Sequence, residues 1–297
     1  MKKLCICVSV FILAAALLSA ETVLEKADRL HEEEKHLENK EFILESIEST
    51  SAAKEKAELY WRLARTTLEI GDSLELDGAD EETLLDNFLE GEAYADRAIE
   101  LDQDSYWAYY WKSANIGRWG EVKGILNSLF KAKPMRDLLH NALTIYPGHP
   151  DSYYVLGIMY RKVPGRPISF GSSDKSVSLA RKSIDANLAE YEAGEVNEVK
   201  LSYYMELARS LWDRDWSASK RRKELSSKAK DFGKETDVLE KHFYYEGTMD
   251  IPDVSDREEA VDIMSWVVSE FRAKPFLKNS QQADLDEAVI DLEDWTE

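Results

Sequence analysis

The side chains best suited to chemistry in this sequence are five histidines and 58 acidic residues. Histidine and carboxylate groups act as metal ligands or acid–base catalysts when their spacing brings them together. His31 and His36 are five residues apart on a predicted helix, an arrangement that points them to different faces. The other histidines are His140, His149 and His242, and the HExxH zinc motif is absent from the sequence.

Other catalytic motifs are also missing from the sequence. It contains no phosphate-binding Walker loop, no GxGxxG fingerprint and no GxSxG nucleophile elbow. Acidic pairs are frequent, but so many acids produce pairs by chance, and a carboxylate-based hydrolase remains only a remote alternative. We therefore expect no catalytic residue, no metal site and no cofactor.

The first twenty residues, MKKLCICVSVFILAAALLSA, differ in composition from the rest. A secretory signal peptide typically has a charged start, an apolar run and small residues at its end. Here these are two lysines, the run from Leu4 to Leu18, and Ser19 with Ala20. This predicts an exported protein, most simply a periplasmic one; an uncleaved signal anchored in the inner membrane is the alternative. Cys5 and Cys7 both lie in this segment, so the mature chain would have no thiol and no disulfide.

The chain is strongly acidic, with a formal net charge of −20 at pH 7. Such a surface repels phosphate backbones, which excludes nucleic acid as a partner and favours basic partners. Apart from the signal segment we expect no contact with a membrane.

A dense group of aromatic residues runs from Tyr106 to Trp111 and includes Trp107, Tyr110 and Trp111. Residues this close in sequence cannot all share one face of a helix, so some must lie on the surface. Exposed Tyr and Trp in a groove are frequent binding anchors, and we predict that Trp107, Tyr110 and Trp111 contact a partner. The alternative is a bulky interface between helices.

The segment Val163–Ser173 is long for a turn within a helical hairpin. It carries two prolines, Arg166 and Phe170, and a partner-binding role is one interpretation, with Arg166 holding an anion or a carboxylate. In the other interpretation Phe170 fills the core and proline fixes the turn.

The elements that would position these residues are all helical. Apolar residues recur at helical spacing and strand alternation is absent. The pattern predicts helices at 22–38, 40–50, 54–70, 82–101, 105–118, 121–131, 134–145, 151–162, 174–190, 197–213, 217–231, 235–245 and 256–272.

Four of these helices share an opening pattern. Each begins near a tyrosine, and in three copies a Leu followed by a small residue comes three positions later. The residues are Tyr60, Leu63 and Ala64; Tyr153, Leu156, Gly157 and Tyr160; Tyr204, Leu207 and Ala208; and Tyr109 with Ser113 in the divergent copy. Gly157 interrupts a helix, and we predict that it lets the partner helix approach closely.

This pattern resembles the tetratricopeptide repeat, whose unit is about 34 residues. The four tyrosines are 49, 44 and 51 residues apart, which indicates insertions between or within the units. The resemblance implies an all-α fold, a degenerate solenoid of stacked helical hairpins with a concave binding surface.

Two families with such repeats are similar to this sequence. The stretches LYWRLARTTLEIGD, AYADRAIELDQDSYWAYYW and NALTIYPGHPDSYYVLGIMY resemble the regulator-of-microtubule-dynamics family over roughly residues 57–190. The insertion VPGRPISFGSSDKSVSLARKSI resembles the T component of tripartite ATP-independent periplasmic (TRAP) transporters, although Ser172 and Ser173 replace part of its paired-glycine turn. Both resemblances imply a binding role, and the signal segment favours the second family.

Two charged segments stand out near the C-terminus. SKRRKELSSKAK, from Ser219 to Lys230, is basic and suggests a solvated helix face or a partner for the acidic tail. In that tail Leu285, Ala288, Val289, Leu292 and Trp295 fall on one helical face, which suggests docking in cis or on a neighbouring subunit; a frayed terminus is the alternative.

The sequence thus predicts a signal peptide at 1–20, a solenoid at 21–275 and an acidic tail at 276–297. We expect an exported, non-catalytic scaffold that binds a protein partner. Both a homo-oligomer and a role as an accessory of a solute-binding protein or transporter are compatible with this expectation. The alternative is a carrier of a small apolar or anionic ligand in an aromatic-lined groove.

Overall fold

The computed structural model describes residues 21–296, and the predicted signal peptide lies outside that range. Within it the chain forms thirteen α-helices and one short 3-10 helix, Tyr245–Thr248. The helices are α1 Val23–Glu32, α2 His36–Ser49, α3 Ala53–Leu76, α4 Glu81–Leu101, α5 Tyr106–Lys123, α6 Ile125–Ile145, α7 Pro150–Lys162, α8 Ser173–Ala193, α9 Leu201–Arg214, α10 Ala218–Phe232, α11 Val238–His242, α12 Asp256–Ala273 and α13 Asn279–Thr296. No residue from 21 to 296 belongs to a strand, so the all-α prediction is confirmed.

The structure divides one predicted helix and fuses two others. The predicted helix 22–38 is divided, because Glu34 adopts a left-handed backbone with φ of 54° and reverses the chain between α1 and α2. The predicted helices 121–131 and 134–145 are instead one helix, α6, with Pro134 inside it. A proline removes one backbone hydrogen bond, and the packing of α6 along α5 compensates for that loss.

The helices stack as successive antiparallel pairs, as a solenoid requires. α1 packs on α2, α3 on α4, α5 on α6 and α7 on α8, and each odd-numbered helix from α1 to α7 also packs on the next odd-numbered one. The partner of α9 is α12, and α10, α11 and the 3-10 helix form an excursion between them. Each pair buries its apolar side against its neighbours, which is how a repeat array forms a continuous core.

Helix ends follow local capping chemistry. Thr22 and Ser255 each form a capping box with the glutamate three residues later, which satisfies backbone N–H groups at the starts of α1 and α12. Gly194 ends α8 in the left-handed conformation that glycine adopts without strain.

The residues of the repeated pattern lie between paired helices. Buried residues are Leu63, Ala64, Tyr153, Leu156, Gly157, Tyr160, Leu207 and Ala208, while Tyr60 and Tyr204 are half-buried. Ala64, Leu156 and Ala208 have no exposed surface at all. These positions supply the close contacts on which the stacking of the pairs depends.

Glycine is not required at position 157, contrary to the expectation from the sequence. A Cβ atom there would lie 3.6 Å from the backbone nitrogen of Ala180, which is an ordinary van der Waals distance. The tight position is Gly91 on α4, where a Cβ would lie 2.0 Å from Oδ1 of Asn115. Asn115 cannot move freely, because its amide donates hydrogen bonds to the carbonyls of Ala64 and Trp111.

A buried ionic network joins the excursion to the stack. Arg214 is paired with Asp256 at 2.7 Å, and Lys228 with Glu246 at 2.8 Å. Burial opposes ionisation of Glu246, but the surrounding cations outweigh it and lower its pKa. The network comprises Arg181, Arg214, Arg221 and Lys228 with Asp174, Glu246, Asp256 and Glu259.

The basic segment Ser219–Lys230 is therefore not simply a solvated face. Arg221 and Lys228 turn inward into the ionic network, whereas Arg222 is exposed and pairs with Asp253. The cation that meets the acidic tail is Arg209 on α9, whose Nε lies 2.6 Å from Oδ2 of Asp291.

The acidic tail forms α13 and docks in cis. Leu285, Val289, Leu292 and Trp295 pack against the core of α9 and α12. The rings of Trp212 and Trp295 are stacked, with their centroids 4.7 Å apart. α13 therefore closes the C-terminal end of the stack by covering apolar surface of the last helical pair. Among the described helices none is long and apolar enough to cross a membrane.

We expect Gly157→Ala to be neutral or stabilising by up to about 1 kcal/mol, because alanine is the better helix former and the methyl group has room. Gly91→Ala should destabilise by roughly 1–3 kcal/mol, because its methyl group overlaps the fixed amide of Asn115. Urea unfolding followed by far-ultraviolet circular dichroism measures both changes. Equal losses in the two variants would contradict this account.

We expect Trp295→Ala to lower the free energy of unfolding by about 1–3 kcal/mol, because it removes apolar contact with α9. Ile290→Ala on the exposed side of the same helix is the matched control and should change little. Both variants are compared by thermal unfolding. A frayed tail would leave both melting temperatures unchanged.

Candidate partner-binding surface

The aromatic residues predicted to contact a partner lie largely between helices. Trp107 on α5 stacks on Trp61 of α3 with ring centroids 5.3 Å apart, and Trp111 follows one turn later. Tyr110 is only 7% exposed, whereas Trp107 and Trp111 are half-buried. Partner binding by these three residues stays a prediction, and the surface available for it is confined mainly to the two tryptophans.

His149 lies in the middle of this aromatic group. Its ring contacts those of Tyr106, Trp107 and Tyr110 edge-on, at centroid distances of 4.6 to 5.0 Å. Its Nδ1 atom is 2.8 Å from the hydroxyl of Ser152. Burial lowers the pKa of His149 to about 4, against the opposing effect of Asp151, so this imidazole is neutral near pH 7.

In the segment Val163–Ser173 the side chain of Phe170 packs against other helices, whereas that of Arg166 is exposed. The ring of Phe170 packs edge-on against Tyr160 at 5.1 Å, and the guanidinium of Arg136 lies 4.9 Å from its centroid. Arg166 is exposed and forms no ion pair with any residue that the structure describes. Anion or partner binding by Arg166 and Phe170 stays a prediction.

The turn itself depends on close backbone approach. Gly171 donates a hydrogen bond to the carbonyl of Pro164 at 3.0 Å, and a Cβ at Gly171 would lie 1.8 Å from the carbonyl oxygen of Val163. Glycine is therefore needed here for steric reasons.

Ion pairs link α1 to α3, α3 to α5, α5 to α7, α7 to α9 and α9 to α13. Each pair joins a cation on one helix to a carboxylate on the adjacent one, at 2.6 to 2.8 Å. The pairs are Asp28–Arg62, Asp72–Arg118, Glu121–Lys162, Glu206–Arg161 and Asp291–Arg209. Because these charges satisfy one another, this side of the stack offers a partner fewer unpaired groups than its charge content suggests.

A different surface exposes large apolar groups. Between α4 and the end of α5 lies an open hollow of about 420 Å³, lined in part by Leu85, Leu89 and Trp119. Leu89 is 44% exposed. At the start of α6, Phe130 is 69% exposed and its ring contacts that of Trp119 at a centroid distance of 6.4 Å. We call this surface the α4–α6 patch.

The spacing of apolar residues in the sequence is consistent with this patch. Leu85 and Leu89 are four residues apart on α4, and Leu126 and Phe130 are four apart on α6, so each pair shares a helix face. Leu126 is also exposed, with 76% of its surface accessible. Periodicity alone assigns such pairs to the core, and only the packing of the helices shows that they face outward.

Acidic groups border the patch. Glu81 pairs with Lys123 at 2.9 Å, and Lys131 pairs with Glu92 at 3.0 Å while lying over the ring of Trp119. Two further carboxylates on α4, Glu82 and Asp86, line the hollow and form no ion pair with the residues described in the structure. The border therefore has an excess of negative charge.

The structure also brings together two histidines that the sequence placed on different faces. The chain reverses between His31 and His36, and both Nδ1 atoms come to the carboxylate of Glu69 on α3, at 2.8 and 3.1 Å. The expectation was wrong because it assumed one continuous helix through both residues.

The comparisons with known proteins concern the part of the chain that carries these features. Residues 23–164 match the family model described as regulator of microtubule dynamics protein 1-3. This part of the chain is similar to the regulators of microtubule dynamics. The predicted resemblance to that family is confirmed, although its span begins and ends earlier than expected, and the resemblance to the TRAP T component is not supported.

Individual relatives give the same result. Regulator of microtubule dynamics protein 1 of Bos taurus is 30% identical over 154 residues, which cover 52% of this chain and 46% of the relative. The proteins of the same name from Pongo abelii and Mus musculus are each 27% identical over 143 residues, covering 48% of this chain and 43% and 44% of the relatives. The chain spans less than half the length of the curated relatives it matches.

These relatives overturn the predicted localisation. They come from mammals, whose cells have no periplasm, so the prediction of a periplasmic or bacterial inner-membrane protein is wrong. The error came from the apolar segment 1–20, because its composition was interpreted as a bacterial export signal.

We expect His149 to make folding sensitive to acid. Its pKa is about 4 in the folded chain and 6.5 as the ordinary value, so between these pH values only the unfolded chain takes up the proton and stability falls as pH falls. In His149→Asn the loss of unfolding free energy from about pH 6.5 to about pH 5 should be smaller by about 1–2 kcal/mol. Urea titrations at both pH values measure this, with His140→Asn as control; identical losses in both variants would contradict the assignment.

Proposed function

We propose that this chain is a non-catalytic helical scaffold that binds a protein partner through the α4–α6 patch. The exposed side chains of Leu89 and Phe130 beside the partly exposed ring of Trp119 are the observation that carries the proposal. Contiguous apolar patches bordered by polar groups mark interaction sites on soluble proteins, because leaving them in water is unfavourable.

The chemistry of the border specifies the kind of partner. Within residues 21–296 Glu82 and Asp86 have no cation partner, and the whole chain carries a net charge of −20. An amphipathic helix with apolar side chains on one face and lysine or arginine beside them would fill the hollow and pair with both carboxylates.

Other occupants are less well supported. The hollow of the patch, about 420 Å³, is open to solvent, and so is a second hollow of about 310 Å³ between α7, α9 and α13; open hollows favour a protein segment over an enclosed small ligand. A second copy of this chain would bring another acidic border to the patch, which disfavours a homo-oligomer through it. We do not propose a role as an accessory of a periplasmic transporter, because the predicted periplasmic localisation of the chain is wrong.

The relatives add a biological process. Their names describe them as regulators of microtubule dynamics, and they match the part of the chain that contains the patch. We propose the same process for this chain, exercised through the partner that occupies the patch.

The proposal predicts that a synthetic amphipathic peptide of leucine and lysine binds the full chain, with a Kd on the order of micromolar. Leu89→Asp should weaken binding by at least about tenfold, because it places a charge in the apolar hollow. Leu37→Asp, at an exposed leucine on α2 outside the patch, is the control and should bind like the wild type. Isothermal titration calorimetry measures all three.

A leucine–glutamate peptide of the same length tests the charge argument and should not bind. Adding the wild type or Leu37→Asp should change the assembly rate of purified tubulin more than adding Leu89→Asp does. We expect this difference both with and without the partner. Equal affinity for both peptides, or equal losses in both variants, would overturn the proposal. Light scattering checks the mass, and dimerisation abolished by Leu89→Asp would identify a second copy as the occupant instead.

A further inference from the structure

We propose that His31, His36 and Glu69 form a binding site for a divalent transition-metal ion of the zinc class, which ties the first helical pair to α3. The proposal concerns residues that do not line the α4–α6 patch, and it does not depend on the function proposed for that patch.

The site is made by the turn between α1 and α2. His31 lies in the last turn of α1, and His36 is the first residue of α2. Glu34 between them has φ of 54°, and the backbone N–H of Lys35 bonds to the carbonyl of Leu30 at 3.0 Å. This tight reversal brings two imidazoles to one side of the hairpin, facing α3.

The donor atoms converge on one point. Nδ1 of His31 lies 2.8 Å from Oε1 of Glu69, and Nδ1 of His36 lies 3.1 Å from Oε2. One donor atom from each residue falls within 4.8 Å of the others. Donors around a tetrahedral zinc ion are separated by about 3.3 Å, since each lies roughly 2.0–2.2 Å from the metal. Small movements of the side chains would therefore admit the ion.

The same atoms lack the hydrogen bonds that buried polar groups normally make. Both Nδ1 atoms and Oε2 of Glu69 are shielded from water and, despite their short separations, none is aligned for a hydrogen bond. Buried polar atoms without partners are rare and call for an explanation. A metal ion between them would satisfy all three.

The chemistry of the donors suits this class of ion. Two imidazole nitrogens with one carboxylate oxygen are a ligand set that zinc uses, and imidazole disfavours calcium and magnesium. The three side chains remain partly exposed, which leaves a path from solvent.

Arg65 is the cation that faces Glu69 from the same helix. Its guanidinium pairs with Asp28 on α1 at 2.9 Å, which compensates its charge. The metal would thus add one more link between α1, α2 and α3, beside the contacts that Asp28 makes with Arg62 and Arg65.

Cobalt(II) is the direct probe, because its visible absorption is strong only when the ion is four- or five-coordinate. The full chain carrying Cys5→Ser and Cys7→Ser is titrated with cobalt, so that the two thiols of the N-terminal segment cannot contribute. We expect one equivalent to produce the absorption of a four- or five-coordinate ion, zinc to displace it, and zinc to raise the melting temperature.

Glu69→Gln and His36→Gln should each weaken cobalt binding by at least about tenfold and remove the thermal shift. His140→Gln is the matched control, because His140 contacts the single carboxylate of Asp237 at 3.1 Å and should bind cobalt like the parent. Circular dichroism shows that each variant is folded, and His36→Gln carries the test if Glu69→Gln is not. Absence of the visible absorption, or equal affinity in all three variants, would overturn the proposal.

Discussion

Contact between successive helical pairs is the constraint on which this structure depends. A single helical hairpin cannot bury its apolar side alone, so each pair is stable only when others cover it. Small residues at Ala64 and Ala208, without exposed surface, allow that approach. The first and last pairs have no further repeat beyond them, and α13 contacts both, since its Asn279 and Ser280 donate hydrogen bonds to Glu34 in the turn between α1 and α2. At the C-terminal end α13 covers the last pair. At the N-terminal end the turn between α1 and α2 directs polar side chains at α3.

Charge pairing gives the array its register. Apolar packing is nondirectional, whereas an arginine and a carboxylate on neighbouring helices must meet at one place. Similar charge pairs are buried in the C-terminal part. There Arg214 contacts both Glu246 and Asp256, and so holds the excursion between α9 and α12 in place. Buried charges are costly to desolvate, and a balanced set of four cations and four acids limits that cost while disfavouring other packings.

The surfaces suited to binding lie where the regular stack is interrupted. The α5–α6 turn leaves Phe130 uncovered beside Trp119, and the reversal at Glu34 brings His31 and His36 together. Where the stack is regular, apolar groups are covered by the next pair and charges by one another. The partner-binding proposal and the metal-site proposal therefore both arise from local departures from the repeat, and both fall in the part of the chain that is similar to the regulators of microtubule dynamics.

The sequence by itself determined the all-α fold, the order of most helices and the small residues between paired helices, because helical periodicity and steric size are local properties. It also indicated the family resemblance, through the aromatic and small residues of the repeated pattern. It misassigned localisation from the composition of residues 1–20, and it overvalued Gly157, whose surroundings have room for a methyl group. Only the tertiary structure decided which apolar residues remain exposed and which polar ones converge. Leu89 and Phe130 have the spacing of core residues, and His31 and His36 are separated by a turn, so their environment depends on how distant helices pack, which no local pattern encodes.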